Sequence, residues 1–497
     1  MLNSIMIGLS AIFEPMNFLA VLAGVVSGMT IGALPGLSAT MGAALIVPFT
    51  FFMEPIPAIA MLSALYCGAT YGGSISAILV NTPGTPAAAV TTLDGYELSK
   101  QGHAGKALGT AVIASGLGGI FSVVILIFVA PQVAEIALKF ADPEYFSLAI
   151  FGVSMVANIS SDNELKNIIG GMIGIFLATV GMDSLTGFPR FTFGFSSLTS
   201  GIDFIPVMIG LFAFAEVLRQ AQTYIKSETN TEIAGLLPSF KELWPLKWSM
   251  LRSAVIGTFV GILPAEGGTV ASFIGYNEAK RWSKHPEKFG TGLLEGVAAP
   301  ETANNAATGG AMVPTLTLGI PGSSTTAVIL GGLMIQGLQP GPLLFATQPK
   351  FVYSIFVAMG LANILFLIVG LGGAKVFAQV TKIPIYILNP IVMVLCIIGS
   401  YSLGNNVADV WIMIITGLIG FVIKKVGFSP APIVLGLVLG SLVEVSFRRA
   451  MTIYDHNYLI FFQRPFSAIF LSLALLSILW PFITKTIKHR RQSQQGN

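Results

Sequence analysis

The chain has 497 residues, 54% of them hydrophobic and only 10% charged, with a formal net charge of +3 and a mean hydropathy of +0.80. A soluble chain carries about 25% charged side chains to cover its surface, so these numbers exclude a soluble enzyme and point to a solvent that is mostly lipid. The positive charges are scattered over loops and ends with no patch for nucleic acid, Cys67 and Cys396 sit inside apolar segments, and four dispersed histidines show no metal-ligand spacing.

In chain order, Met1–Ser10 lacks a basic leader region and Glu14 interrupts the first apolar run, so no cleaved signal peptide is expected. Gly32-Ala-Leu-Pro35-Gly-Leu-Ser38-Ala-Thr40 follows, then a connection Phe51–Pro57 that holds Glu54 and no basic residue. Ala69-Thr70-Tyr-Gly72 leads to a dense Pro/Gly cluster, Asn81-Thr82-Pro83-Gly84-Thr85-Pro86, and to a loop expected over Asp94–Lys106 with Lys100 and Lys106. Apolar runs such as Phe121–Ala130 and Ile168–Val180 come next. Arg219–Arg252 is the longest polar stretch and reads as a cytoplasmic connection between two membrane halves, 1–218 and 253–484.

The second half repeats the first. Gly261-Ile-Leu-Pro264-Ala-Glu-Gly267-Gly268-Thr269 matches Gly32–Thr40, Ala307-Thr308-Gly-Gly310 matches Ala69–Gly72, and Pro321-Gly322-Ser323-Ser324 matches Pro83-Gly84-Thr85-Pro86. The loop charges are reversed between the halves: Lys280–Lys288 is basic where Phe51–Pro57 is not, and Gln336–Pro349 lacks the basic residues of Asp94–Lys106. By the positive-inside rule the two repeats lie inverted in the membrane. Apolar runs continue through Val352–Gly370, Ile391–Ser400, Trp411–Ile423 and Ile469–Trp480, and the tail 485–497, with Lys485, Lys488, Arg490 and Arg491, is expected in the cytoplasm. At roughly 20 residues per span the chain holds about ten to fourteen membrane segments. The expected fold is an all-α polytopic membrane protein of inverted repeats, with Pro/Gly-broken helices or re-entrant hairpins.

Non-helical backbone at membrane depth is tolerated only when buried in protein or lining a watery cavity. Carriers built from inverted repeats place such breaks at the repeat interface, with half-helix N-termini aimed at anionic substrate groups. The expected substrate site is therefore Asn81, Thr82, Pro83, Gly84 and Thr85 with Gly322, Ser323, Ser324, Thr325 and Thr326. Backbone N–H groups and hydroxyls there make an uncharged cradle for a carboxylate, although each hydroxyl has the alternative role of capping its helix. Ser38, Thr40, Gly267, Gly268, Thr269, Glu301, Asn304, Asn305 and Thr308 are expected to hold a coupling ion or to support the site. Glu301 suits a coupling proton or offsets a coupling cation; the alternative for it, and for Glu266, is a loop-facing carboxylate at a helix cap. No phosphate-binding loop is present, so an ion gradient is the expected energy source. A channel or an intramembrane enzyme is also conceivable, but no catalytic constellation is visible at membrane depth.

At Gly32–Thr40, Tyr71–Thr85, Leu93-Asp-Gly-Tyr96, Pro264–Thr269, Pro300–Asn305 and Leu318–Gly322 the sequence resembles the TctA family, the large membrane subunit of tripartite tricarboxylate transporters. The resemblance implies a bacterial inner-membrane permease without an organic cofactor, driven by Na+ or H+. It also implies two partners, a small TctB-like membrane subunit and a periplasmic TctC-like solute-binding protein, and uptake of citrate or other carboxylates. A stand-alone secondary carrier for small organic anions is the alternative, since nothing in the chain itself requires a delivery protein.

Overall fold

The computed structural model describes residues 2–156, 164–183, 185–222, 237–264 and 267–479. Glu266, the stretch 223–236 of the connecting segment and the basic tail 485–497 lie outside the described residues. Apart from loops, the described chain is helical except for one hairpin of two-residue strands, Gly181–Met182 against Pro189–Arg190.

The first half contains α1 (Leu2–Ile12), α2 (Pro15–Ala33), α3 (Ala39–Thr50), α4 (Pro55–Val80), α5 (Ala89–Lys100), α6 (Ala104–Ala137), α7 (Asp142–Val156), α8 (Glu164–Ala178) and α9 (Phe204–Gln222). The second contains α10 (Lys247–Ile262), α11 (Gly267–Trp282), α12 (Leu294–Leu318), α13 (Ser324–Ile335), α14 (Pro349–Val380), α15 (Ile385–Gly404), α16 (Val407–Lys425), α17 (Pro430–Ile453) and α18 (Pro465–Leu479). Among the described residues eight helices are long and apolar enough to cross a membrane: α2, α4, α6, α9 and α14 to α17. Other apolar runs fold as shorter helices, among them α3 and α13. Two boundaries differ from the sequence reading. Asp94–Lys106 is helical except at 101–103, and helices α9 and α10 reach into the expected connection 219–252, which places Arg219 in the last turn of α9.

The element order of α2–α6 recurs in α10–α14: helix, break, half-length helix, long helix, break, half-length helix, long helix. Packing recurs with it. Gly24, Gly28 and Gly32 of α2 lie against the backbone of Met61, Leu65 and Ala69 of α4, so close that a methyl group on any of them would strike it. Gly257 and Gly261 of α10 lie in the same way against Ala303 and Ala307 of α12. Small residues at four-residue spacing let two helices approach closely where lipid supplies no hydrophobic drive between them. Helices α4 and α12 are the centre: α12 is buried continuously from Gly296 to Thr317 despite its Glu, Asn and Thr content. On the periphery α7 and α8 pack on α17, and α9 packs on α15 and α16.

Each half turns back on itself after its central helix. At the end of α4, Asn81 takes a left-handed conformation (φ 54°) and the chain folds back until the Gly84 N–H donates to Gly73 O at 3.2 Å. At the end of α12, Gly319 supplies the positive φ (69°) and the Gly322 N–H donates to Thr315 Oγ1 at 3.2 Å. Positive φ is cheap for Gly and tolerable for Asn, which is why these residue types stand at the turns. The loops then sort by charge. Gln336 Nε2 donates to Thr50 O at 2.7 Å, joining the two connections that lack basic residues. Gln101 Nε2 donates to Thr291 O at 2.8 Å and Lys106 Nζ pairs with Glu242 Oε1 at 2.6 Å, joining the basic ones.

Candidate functional site

Four half-helices begin at one place. The start of α3 brings Ser38 and Thr40, the turn into α5 brings Pro83, Gly84 and Thr85, α11 brings Gly268 and Thr269, and α13 brings Ser323, Ser324 and Thr325. All of them line a single cavity of about 450 Å³, with Tyr66 and Thr70 of α4 and Asn304 of α12 on its wall. The first N–H groups of a helix have no partner within the helix, and its N-terminus carries roughly half a positive charge. Four such termini around one space make a binding place for an anion.

The local sequence explains each terminus. Pro35 has no N–H and Gly36 takes φ 84°, which ends α2, and Ser38 then accepts the Met41 N–H at 3.2 Å to start α3. Ser323 and Thr326 form a reciprocal cap: the Thr326 N–H donates to Ser323 Oγ at 3.2 Å and the Ser323 N–H to Thr326 Oγ1 at 2.9 Å. Thr85 precedes Pro86, whose fixed φ suits the first helical position, and its side chain makes no cap hydrogen bond.

The two hairpin tips are satisfied differently. Ser323 Oγ lies 3.2 Å from Tyr66 Oη, and Thr325 Oγ1 lies 2.9 Å from Thr40 Oγ1. In the repeat, Thr85 corresponds to Ser323 and Asn304 corresponds to Tyr66. Yet Thr85 Oγ1 and Asn304 Nδ2 are buried without a hydrogen-bonding partner, on side chains only 7% and 2% exposed that both line the cavity. Leaving a buried donor or acceptor unsatisfied costs about 1–3 kcal/mol, so this wall is prepared for a polar ligand.

Of the residues assigned to the substrate, Pro83, Gly84, Thr85, Ser323, Ser324 and Thr325 line the cavity. Asn81 and Thr82 instead form the turn behind it, Gly322 is buried against Ala311, and Thr326 is spent on the cap. Of those assigned to the coupling ion or to support, Ser38, Thr40, Gly268, Thr269 and Asn304 line the same cavity. Gly267 sits behind Gly268, against Gly261. Glu301, Asn305 and Thr308 lie off the cavity inside α12: Asn305 Nδ2 donates to Glu301 O and Thr308 Oγ1 to Asn305 O. Glu301 is wholly buried, which removes its loop-facing alternative; Thr91 of α5 and Ser115 of α6 both donate hydroxyl hydrogens to its carboxylate.

The cradle is not uncharged, as the sequence reading had it. Glu216 and Arg219 of α9 and Lys424 of α16 also line the cavity. Arg219 Nη2 is 2.5 Å from Glu216 Oε1, and Lys424 Nζ is 3.3 Å from Glu216 Oε2. Arg219 stands at the edge of the polar connection and Lys424 in the Lys-Lys end of an apolar run, where both read as topology signals. The sequence signal for Arg219 is Glu216, a carboxylate three residues before it within an apolar segment; none marks Lys424.

The sequence model of the tripartite tricarboxylate transporter TctA family matches residues 18–435, a range that contains every half-helix terminus at the cavity. The chain belongs to the TctA family. It is a multi-pass membrane protein of a transport system, a transporter rather than an enzyme, and a TctA protein works within an assembly that has other subunits. An Agrobacterium vitis protein described as an uncharacterized 52.8 kDa protein in the TAR-I ttuC' 3' region is 38% identical over 480 residues, 96% of each chain. A second from Agrobacterium vitis, described as an uncharacterized protein in the TAR-II ttuC' 3' region, is 39% identical over 236 residues, 48% of this chain and 98% of its own length. No solved structure matches the chain.

Proposed function

We propose that this TctA protein is the permease subunit that imports tricarboxylates or related carboxylates by symport with Na+ or H+ across a bacterial inner membrane. A periplasmic TctC-like binding protein delivers the substrate, and a small TctB-like subunit completes the membrane part. The observation that carries this reading is the convergence of four half-helix N-termini on one cavity of about 450 Å³. Such a site holds carboxylates through backbone dipoles, which suits a carrier that must also let them go. Glu301 takes the coupling proton or balances a coupling cation, one helical turn from the cavity-lining Asn304.

The two halves, 1–218 and 253–484 in the sequence reading, are inverted repeats. The pairing of basic loops with basic loops, and of loops without basic residues with each other, supports this. The basic tail lies in the cytoplasm by the positive-inside rule. Arg219 lies at the end of α9 that leads into the connecting segment, which is the cytoplasmic side in this reading. Single cysteines at Ser283 and Thr347 will label from opposite faces; labelling from one face overturns the inversion.

The deciding measurement is uptake of labelled citrate into proteoliposomes that contain the chain and its small membrane partner. Uptake that requires both a binding protein and a Na+ or H+ gradient establishes the symporter and its ion. Uptake without a binding protein converts the reading to a stand-alone carrier. No uptake of citrate or of any other carboxylate tried overturns it.

A further inference from the structure

Three of the five tryptophans in the chain, Trp244, Trp248 and Trp282, gather where α10 starts and α11 ends. Lys247 Nζ lies 3.8 Å from the centre of the Trp244 ring and 5.8 Å from that of Trp248. The Arg252 guanidinium lies 5.5 Å from the centre of the Trp282 ring, whose Nε1 donates to Glu278 Oε2 at 3.1 Å. Trp248 and Trp282 are each 64% exposed. The nearby acids are engaged elsewhere, Glu242 by Lys106 and Glu278 by Arg281. Among the described residues neither Lys247 nor Arg252 meets a carboxylate. An aromatic face orients a cation without neutralising it.

The exposed surface continues along α10, where Trp248, Leu251, Val255 and Phe259 form one outward stripe at helical spacing. At about 1.5 Å per residue the stripe is about 16 Å long, half of a hydrocarbon core roughly 30 Å thick. The corresponding place in the first repeat, where α2 starts and α3 ends, also exposes aromatic rings, Phe13, Phe51 and Phe52. It holds Glu14 and Glu54, and residues 1–57 contain no Lys or Arg. Aromatic rings thus stand at both places, as they do at membrane–water interfaces, and the cations stand at one alone.

We infer that Lys247 and Arg252, with Trp248 and Trp282, form a binding site for an anionic phospholipid. It lies in the leaflet on the side of the connecting segment. The lipid phosphate sits beside Trp248 between the two cations that flank it, and an acyl chain follows the stripe down α10. A zwitterionic lipid sets its own ammonium against the same cations and binds less well. The lipid clasps α10 to α11 at the end of α11 opposite Gly268 and Thr269, which line the cavity. The site does not depend on which ion or substrate the protein carries.

The test is quenching of tryptophan fluorescence by brominated lipid in the full-length chain carrying Trp411→Phe and Trp480→Phe, so that Trp244, Trp248 and Trp282 report. The chain is reconstituted in vesicles of phosphatidylcholine and phosphatidylglycerol, with bromine on one lipid or on an equal amount of the other. Brominated phosphatidylglycerol is expected to quench more strongly, with a preference of about five-fold for each cation. Lys247→Gln or Arg252→Gln should each lower the preference about five-fold, and the two together should abolish it. Equal quenching by both lipids in the reporter chain overturns the site, as does a preference that survives the double substitution. Lys247→Arg with Arg252→Lys keeps both charges and should keep the preference, which separates a lost contact from a lost fold; its loss there too overturns the assignment. Loss of the preference in millimolar inorganic phosphate, but not in chloride of equal ionic strength, overturns the lipid as ligand and leaves a site for free phosphate.

Discussion

The two hairpins occupy equivalent places in the repeat and are held differently. The first, α4 to α5, is fastened at its base. The Asp94 carboxylate in α5 is fully buried and accepts hydrogen bonds from Tyr276 Oη at 2.9 Å and from the backbone N–H groups of Gly290 (3.0 Å), Gly292 (2.9 Å) and Leu293 (2.8 Å), all in the other half. Its tip is open, with Thr85 Oγ1 unpartnered. The second hairpin, α12 to α13, is held at its tip by the Ser323–Thr326 cap, by Tyr66 and by Thr40, while its base is tied through Gln336 to Thr50 O. The same chain path thus supplies a rigid wall on one side of the cavity and an unsatisfied, ligand-ready wall on the other. A symmetric pair of cradles would bind a ligand in two equivalent poses; this arrangement favours one.

The largest test of the comparison is at the fastened base. Asp94→Ala strands four donors in a buried place, which costs on the order of 3–5 kcal/mol. It should lower the melting temperature of the detergent-solubilised protein far more than Gln336→Ala, which removes one neutral hydrogen bond worth about 1 kcal/mol. Equal shifts would mean that the two bases are equivalent. Next in size is the bound tip. Ser323→Ala with Thr325→Ala removes a helix cap and two links across the repeat, about 2 kcal/mol together. It should lower the melting temperature and raise the transport KM in the same variant, with membrane insertion intact; unchanged uptake kinetics would remove these residues from the site.

Thr85→Val sharpens the contrast. It keeps the shape of the side chain and deletes a hydroxyl that has no partner in the protein, so stability should hold. KM should rise about ten-fold, the equivalent of about 1.4 kcal/mol. A fall in melting temperature with no change in KM would show Thr85 to be structural and make the two tips alike.

How far this asymmetry could be read from the sequence depends on where its signals lie. Gly-x-Leu-Pro and Pro-Gly are strong local punctuation, and they mark both breaks and the half-helix starts that reach the cavity. The hydroxyls of Thr85 and Ser323 look equivalent in sequence; only the packing of Tyr66 and Asn304 across the repeat distinguishes them. Asp94 looked like a loop residue because Leu93-Asp-Gly-Tyr96 is polar and is followed by Lys100, yet it lies in a helix whose carboxylate organises a loop of the other half. Arg219 and Lys424 end apolar runs as topology signals do, and nothing local shows that the ends of α9 and α16 meet at the cavity. What stayed hidden is tertiary convergence, which a linear pattern does not encode.

The smallest predicted effect concerns the outer fastening of the first hairpin, where Lys106 at the start of α6 meets Glu242. The Lys106 ammonium, with the backbone N–H and hydroxyl of Ser239, holds the Glu242 carboxyl down to about 2 from its ordinary 4.5. A carboxyl depressed by folding contributes stability that is present above its ordinary value and is lost as pH falls through that window. The pair is half-exposed and screened by solvent, so its share is small. Glu242→Gln should melt slightly below the unaltered chain at pH 7, and the gap should close as the pH is lowered from about 4.5 toward 2. A gap that stays constant across this range would mean that the pair does not fasten the hairpin and that Asp94 holds the base alone.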